Sequence, residues 1–277
     1  MQGMHHFLAL LFLASCSKAV SEDTANNDTS HTGEVVYPSD YDSGKYRSNT
    51  LALLPADQGL DLTGDGEIDN VLPAKLPLVN AFTSDDLSFE GLNISLAASV
   101  EDGSLIMLID AKYTDGVLEY AVLLGEEDEA GTLSIDPVSL DDDGQPMALF
   151  SGTFSDQTHA TASAEDAGVP FQFMPGTDPV LIPMKMARVE TTLDENETIG
   201  ILAGAIPVEA FITEVVDPLL PPEEEYDPAE FNGLERDELL QQVRDIANLD
   251  TVSDIELEGG ERAFSAALGF TAVQSTW

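Results

Sequence analysis

Residues 104–126, SLIMLIDAKYTDGVLEYAVLLGE, decide the fold class. Two apolar runs rich in Leu, Ile, Val and Tyr stand on either side of Thr114-Asp115-Gly116. An Asp-Gly pair between two such runs is a typical signal for a tight turn between antiparallel strands. The stretch therefore predicts a β-hairpin.

Apolar segments separated by Gly- and Asp-rich turns continue along most of the chain. Further strand candidates are 46–55, 131–138, 146–155, 157–164, 180–191, 198–206 and 263–274. Six or more strands joined by local turns are typical of antiparallel sandwiches and barrels. We therefore predict a mainly β fold over residues 46–277, an antiparallel β-sandwich or barrel-like domain.

Two segments have helical rather than strand periodicity. Residues 91–103 place apolar side chains four apart and end in Gly103, which predicts a short N-terminal helix. Residues 234–248 place Leu239, Leu240, Val243, Ile246 and Ala247 on one face, which predicts a helix of about four turns. This second helix belongs to a helical insertion near 207–250, between two strands of the same sheet.

The charge of the chain limits its partners. Its 277 residues include 52 Asp and Glu against 10 Lys and Arg, for a formal net charge of −42. Nucleic-acid phosphates and bare anionic membrane surfaces repel such a protein, because binding to either depends on Lys and Arg. We therefore expect no nucleic-acid partner. Cations, cationic patches and neutral ligands such as sugars stay open, and a strongly solvated surface is the simplest use of the charge.

The N-terminus, MQGMHHFLALLFLASC, has the features of an export signal. Its apolar run is shorter than the roughly 20 residues that span a bilayer and matches the centre of a signal peptide. The run ends in Leu13-Ala14-Ser15-Cys16, which resembles a bacterial lipobox, where the cysteine thiol receives a diacylglyceryl group. We predict a signal peptide at 1–15 and a lipid on Cys16. An ordinary secretory signal, with Cys16 incidental, is the alternative.

A lipid on Cys16 predicts that the protein is located in the cell envelope. The membrane is its partner through the lipid anchor, at the outer membrane, on either the periplasmic face or the cell surface. Residues 16–45 are rich in Ser, Thr, Asp and Asn with few apolar residues, and they predict a flexible tether.

The most chemically specific stretch of the mature chain is GLDLTGDGEIDN, residues 59–70. Calcium takes six to eight oxygen ligands, and a short acidic loop offers them from alternate side chains and a backbone carbonyl. The candidate Ca²⁺ ligands are Asp61, Thr63, Asp65, Glu67 and Asp69. Gly66 stands where the sharp turn of such a loop requires glycine. We expect Ile68 to point inward and hold the loop on the core.

The loop departs from an EF-hand at its end. Leu72 stands at the position where an EF-hand has its bidentate Glu, and the flanking segments do not form two clean helices. The loop is therefore closer to the acidic loops of dockerin and thrombospondin type 3 repeats, with modest affinity. A polar Gly-Asp turn without metal is the alternative reading.

Together with the lipobox, the loop, the segment GILAGAIP at 200–207 and the segment LGFTAV at 268–273 carry a family resemblance. The chain resembles predicted lipoproteins of myxobacteria and related deltaproteobacteria, in which a DxDGDGxxDN-type loop precedes a β-rich domain. The resemblance implies that Asp61, Asp65 and Asp69 are metal ligands, and it implies no activity. Thr63 stands where an acid is usual in that motif.

No pattern in the sequence indicates catalysis. His159 is the only histidine of the predicted domain, and the chain contains no G-x-S-x-G, H-E-x-x-H, P-loop or G-x-G-x-x-G motif. The sequence thus favours a calcium-stabilised binding or structural module over an enzyme. A surface hydrolase acting on polysaccharide or peptide through a pair of carboxylates is the alternative. The sequence names neither its ligand nor its protein partner.

Overall fold

A computed structural model describes residues 41–80, 88–172, 178–249 and 251–277. Its centre is an antiparallel sheet of long strands. The strands are β1 Ser43–Leu53, β2 Ile106–Thr114, β3 Val117–Glu127, β4 Leu133–Ile135, β5 Ala148–Phe154, β6 His159–Phe171, β7 Val180–Leu193, β8 Glu197–Pro207, β9 Ile255–Glu256 and β10 Arg262–Gln274. The hairpin of β2 and β3 turns through Asp115 and Gly116, whose φ angles of 54° and 86° are both positive, as a tight two-residue hairpin turn requires.

Eight of these strands close into a barrel, in the order β1-β2-β3-β5-β6-β7-β8-β10. Strand β1 completes the circle because it pairs with both β2 and β10. The seam with β10 runs from Tyr46 opposite Gln274 to Leu53 opposite Leu268. The two short strands lie outside the circle, β4 beside β3 and β9 beside β10. The predicted mainly β, antiparallel fold is confirmed, and of its two forms the barrel is the one observed.

Side chains fill the interior of the barrel. Inward-facing residues alternate along the strands, as in β3, where Leu118, Tyr120, Val122 and Leu124 are all buried. They belong to one large apolar cluster that also takes in residues from every other strand of the circle. An eight-stranded barrel has an interior just wide enough to be filled in this way, so the barrel is a core and not a channel.

Helical segments cover one end of the barrel. They are α1 Leu72–Asn80, α2 Phe89–Asp102, α3 Val208–Phe211, a π-helical turn Ile212–Val216, α4 Asp217–Leu219 and α5 Arg236–Ala247. Most of their buried apolar residues join the cluster inside the barrel. Within the described ranges, no helix combines the length and apolar character that crossing a membrane requires.

The helix predictions are confirmed with small shifts in their bounds. Helix α2 begins at the Ser88 cap and ends at Gly103, whose φ of 79° lies in the left-handed region. Helix α5 begins with a capping box between Glu235 and Glu238. The insertion between β8 and the last strands also matches the prediction.

Aromatic side chains close the opposite end. The ring of Phe154 lies 5.6 Å from that of Tyr41 and 5.1 Å from that of Tyr113. The hydroxyl of Tyr46 donates to the carbonyl of Asp194 at 2.8 Å, in the turn between β7 and β8. Tyr41 and the first residues of β1 therefore belong to the folded domain, so the predicted tether 16–45 extends too far. The rest of that tether lies outside the described residues.

A segment that we name the outer flap, residues 128–147, covers part of the barrel's outer face. It contains β4 and a single 3-10 turn, Pro137–Ser139. Its apolar residues Leu133, Ile135 and Leu140 pack on outward-facing residues of β2 and β3, together with Trp277. The predicted strand 131–138 was too long, because Pro137 begins the 3-10 turn and the Asp136 side chain caps it.

Candidate functional site

The acidic loop 59–70 lies on the outer face of β8 and β10. Leu60 and Leu62 are buried there against small side chains, among them Ala203 and Ala267. The small residues leave room for the two leucines, so an outward face that would otherwise meet water becomes a second, minor core. Ile68, expected to hold the loop on the core, is 49% exposed. That prediction was wrong, because the alternation of the loop turns Leu60 and Leu62 inward instead.

Asn70 fixes the end of the loop. Its side chain is buried, and its Nδ2 donates to the carbonyls of Leu54, Pro55 and Gln58 at 3.0, 2.9 and 2.7 Å. Its Oδ1 accepts from the backbone N–H of Ala267 in β10 at 3.1 Å. One amide side chain therefore joins the chain before the loop, the end of the loop and the barrel wall.

The carboxylate of Asp61 organises the first half of the loop. Its Oδ1 accepts from the N–H of Gly64 at 2.6 Å and its Oδ2 from the N–H of Gly66 at 2.9 Å. Both glycines have positive φ angles, 80° and 90°, a conformation that side chains disfavour. The hydrogen bond from Gly66, with that from Gly64, lowers the pKa of Asp61 below its ordinary value.

Asp69 organises the other side of the loop. Its Oδ2 accepts from the N–H groups of Leu62 and Thr63 at 2.7 and 2.9 Å and from the Thr63 hydroxyl at 3.2 Å. Its own N–H donates to the carbonyl of Leu60 at 3.0 Å. Asp65 accepts from the N–H of Glu67 at 2.9 Å, and both of these side chains are exposed.

The five predicted ligands lie on one small loop, and three of them, Asp61, Asp65 and Asp69, use carboxylate oxygens to accept backbone N–H groups. These hydrogen bonds shape the turn. Among the described residues, no three His, Cys, Asp or Glu side chains converge as a metal site would require. Leu72, at the place of the EF-hand glutamate, is buried at the start of α1, so the chain supplies no ligand there.

Arg188 is a partner of the loop that the sequence did not indicate. Its guanidinium Nη1 donates to the carbonyl of Asp61 at 2.5 Å. Arg188 lies just after an irregularity in the pairing of β7 with β8, where Met186 has a positive φ of 52°. The bulge changes which way the following side chains point. No local sequence pattern predicts a contact between Arg188 and Asp61, because the two residues lie far apart in the chain.

The one histidine of the predicted domain, His159, begins β6 directly after the turn from β5. The Nδ1 of His159 is 2.8 Å from Asp156, and both side chains are more than half exposed. The hydroxyl of Ser155 donates to the His159 carbonyl at 3.2 Å. The hydroxyl thus bonds to the backbone and not to the imidazole, so these three residues shape a turn and do not form a nucleophile–base pair.

Cys16, the predicted lipidation site, lies outside the described residues, as does the signal peptide. Comparison with known proteins found no matching family model, no matching curated protein and no matching solved structure.

Proposed function

We propose that this protein is a lipid-anchored component of the cell envelope whose barrel acts as a calcium-stabilised binding or structural module. Cys16 carries the anchor, and the acidic loop 59–70 takes the ion. The observation that supports this proposal most strongly is the attachment of the loop to the barrel by Leu60, Leu62 and Asn70. A loop attached in this way changes the stability of the whole fold when it binds an ion.

The oxygen chemistry of the loop suits a hard cation. Asp61, Asp65, Glu67 and Asp69 offer carboxylates and Thr63 a hydroxyl, the ligands that calcium prefers. A carboxylate oxygen that accepts one N–H, as each oxygen of Asp61 does from Gly64 and Gly66, retains a lone pair for a metal. The exposed side chains of Asp65 and Glu67 would have to turn toward the loop centre, since no three ligand groups converge among the described residues. This rearrangement costs free energy, which fits a modest affinity.

Calcium binding to purified protein tests the proposal directly. Titration calorimetry should give a saturable, one-site isotherm for the wild type, and Asp65→Ala should abolish it. Asp143→Ala is the matched control, because Asp143 is also an exposed acid in a Gly-Asp turn and loses the same charge. It should bind as the wild type does. Equal binding by all three proteins, or by none, would reject calcium as the ligand of this loop.

A further inference from the structure

A groove of about 230 Å³ lies outside the barrel, between the outer flap and the faces of β2, β3 and β5. Its charged lining consists of Asp110, Lys112 and Glu119. Its apolar lining includes Leu123, Ile135, Leu140, Pro146 and Leu149. The groove is therefore a mainly apolar slot with a few charged groups at one part of its wall, the composition that small-molecule sites share. It is separate from the acidic loop.

Asp110 is the unusual member of this lining. Its side chain is 17% exposed, and Lys112 approaches its Oδ2 with the Nζ at 3.2 Å. Its Oδ1 is shielded from solvent and has no hydrogen-bond partner among the described residues. Because Oδ1 is shielded, a ligand in the groove reaches this carboxylate at Oδ2, the oxygen that Lys112 contacts.

The charges around Asp110 favour a cation. Lys112 lies opposite Glu119 in the β2–β3 ladder, and its ammonium contacts Asp110. Two carboxylates and one ammonium leave one negative charge unbalanced in the lining. Lys45 lies opposite Asp110 on β1, but its ammonium is directed to the carbonyl and the ring of Trp277. Lys112 is itself 58% exposed, so solvent weakens the ion pair between its ammonium and Asp110. A second ammonium can replace it at Asp110 while Lys112 pairs with Glu119.

An exposed apolar side chain lines the groove as well, since Leu149 in β5 is 41% exposed. Such a side chain offers a surface on which an apolar stem can be buried. We propose that this groove binds a small organic cation, an alkylammonium whose charged end reaches Asp110 and whose stem lies along the flap.

Pentylammonium is the probe that fits this description, and its binding can be followed by NMR titration. Methylammonium at equal ionic strength is the control for general attraction to a negatively charged protein, and 1-pentanol is the control for the apolar stem. Pentylammonium should bind at least about tenfold more tightly than either, since a hydrogen bond to a charged group and apolar burial both contribute. Equal affinities for the three compounds would overturn the proposal.

Variants locate the site. Asp110→Asn should weaken pentylammonium binding about tenfold or more, while Glu258→Gln, an exposed acid in another turn that loses the same charge, should not change it. Lys112→Met removes the competing ammonium and should strengthen binding. Leu149 is exposed, so Leu149→Gln should fold normally. This variant tests the proposal if Asp110→Asn does not fold. It should weaken pentylammonium binding and leave methylammonium unaffected. Unchanged binding in Asp110→Asn and in Leu149→Gln would place the cation elsewhere.

Discussion

The side-chain Oδ1 of Asn70 accepts a hydrogen bond from the backbone N–H of Ala267, 197 residues further along the chain. This contact attaches the end of the acidic loop to the middle of β10. Since β10 also forms the seam that closes the barrel with β1, the loop and the barrel closure share one strand. A change in the loop, such as the binding of an ion, should therefore change the stability of the barrel.

Asn70→Ala should lower the free energy of unfolding by at least about 2 kcal/mol, measured by urea denaturation. The change leaves the Ala267 N–H and several loop carbonyls without their partner, and each buried group so stranded costs about 1–3 kcal/mol. Asn70→Asp is the informative companion, because a carboxylate still accepts from Ala267 but cannot donate to Leu54, Pro55 and Gln58. It should also destabilise. Wild-type stability in both variants would contradict the role assigned to Asn70.

Acid should unfold the protein partly through Asp61. The pKa of this carboxyl is lower in the folded state than its ordinary value of 3.8, because Gly66 and Gly64 donate to it. The unfolded state therefore binds the proton more readily. The resulting stability is present above about pH 4 and is lost as the pH falls through the lower folded pKa.

Asp61→Asn tests this pH dependence. The variant should lose less stability than the wild type when urea denaturation is repeated from pH 5 down to about pH 2. Asp143→Asn removes an equal charge from an exposed turn and should keep the wild-type slope. If Asp61→Asn keeps that slope too, the hydrogen bonds from the two glycines do not stabilise the ionised carboxyl.

The face of α5 that packs on the core should not tolerate charge. Val243 is 5% exposed and belongs to the main core cluster. Val243→Asp should destabilise by about 3 kcal/mol or more, because it forces an unpaired charge into apolar surroundings. Gln242→Asp adds the same charge on the exposed side of the helix, and its change should stay within about 0.5 kcal/mol. Similar thermal melting of the two variants would show that this face of α5 does not pack on the core.

Lipidation depends on one residue. Expressed in a bacterial host with labelled fatty acid, the full chain should incorporate label, and Cys16→Ser should not. Fractionation should find the wild type with membranes and the variant released from them, since an acyl chain contributes about 0.8 kcal/mol per buried CH₂. Equal label in the two proteins would leave Cys16 as an incidental residue of an ordinary signal peptide.

Local patterns predicted the local elements well. The hairpin at 104–126 follows from its apolar runs and its Asp-Gly turn, and the end of α2 follows from Gly103. The closure of the barrel did not follow, because β1 and β10 are separated by most of the chain and either strand reads equally well as part of a sandwich. A register between distant strands depends on the assembled fold, not on either segment alone.

At the candidate site, too, the sequence predicted the local features and missed the contacts between distant residues. Alternation around Gly66 led to the five loop residues, and the structure places all of them on one turn. Asn70 and Arg188 were missed, since their partners Ala267 and Asp61 lie far from them in the chain. The inward direction of Leu60 and Leu62 depends on small residues in β8 and β10 that are distant in sequence. The loop's own pattern therefore pointed to Ile68 instead.

Thermal melting in calcium and in magnesium tests the central claim most directly. Calcium bound to the folded loop raises stability as RT ln(1 + [L]/Kd), about 2.7 kcal/mol at a hundredfold excess over Kd. Magnesium at equal ionic strength screens the 52 acids equally, yet it prefers a tight octahedron and retains its waters. The wild type should melt higher in calcium than in magnesium, Asp143→Ala should keep that difference, and Asp65→Ala should lose it. Equal melting in the two ions, or a difference that survives Asp65→Ala, would make residues 59–70 an acidic turn without calcium.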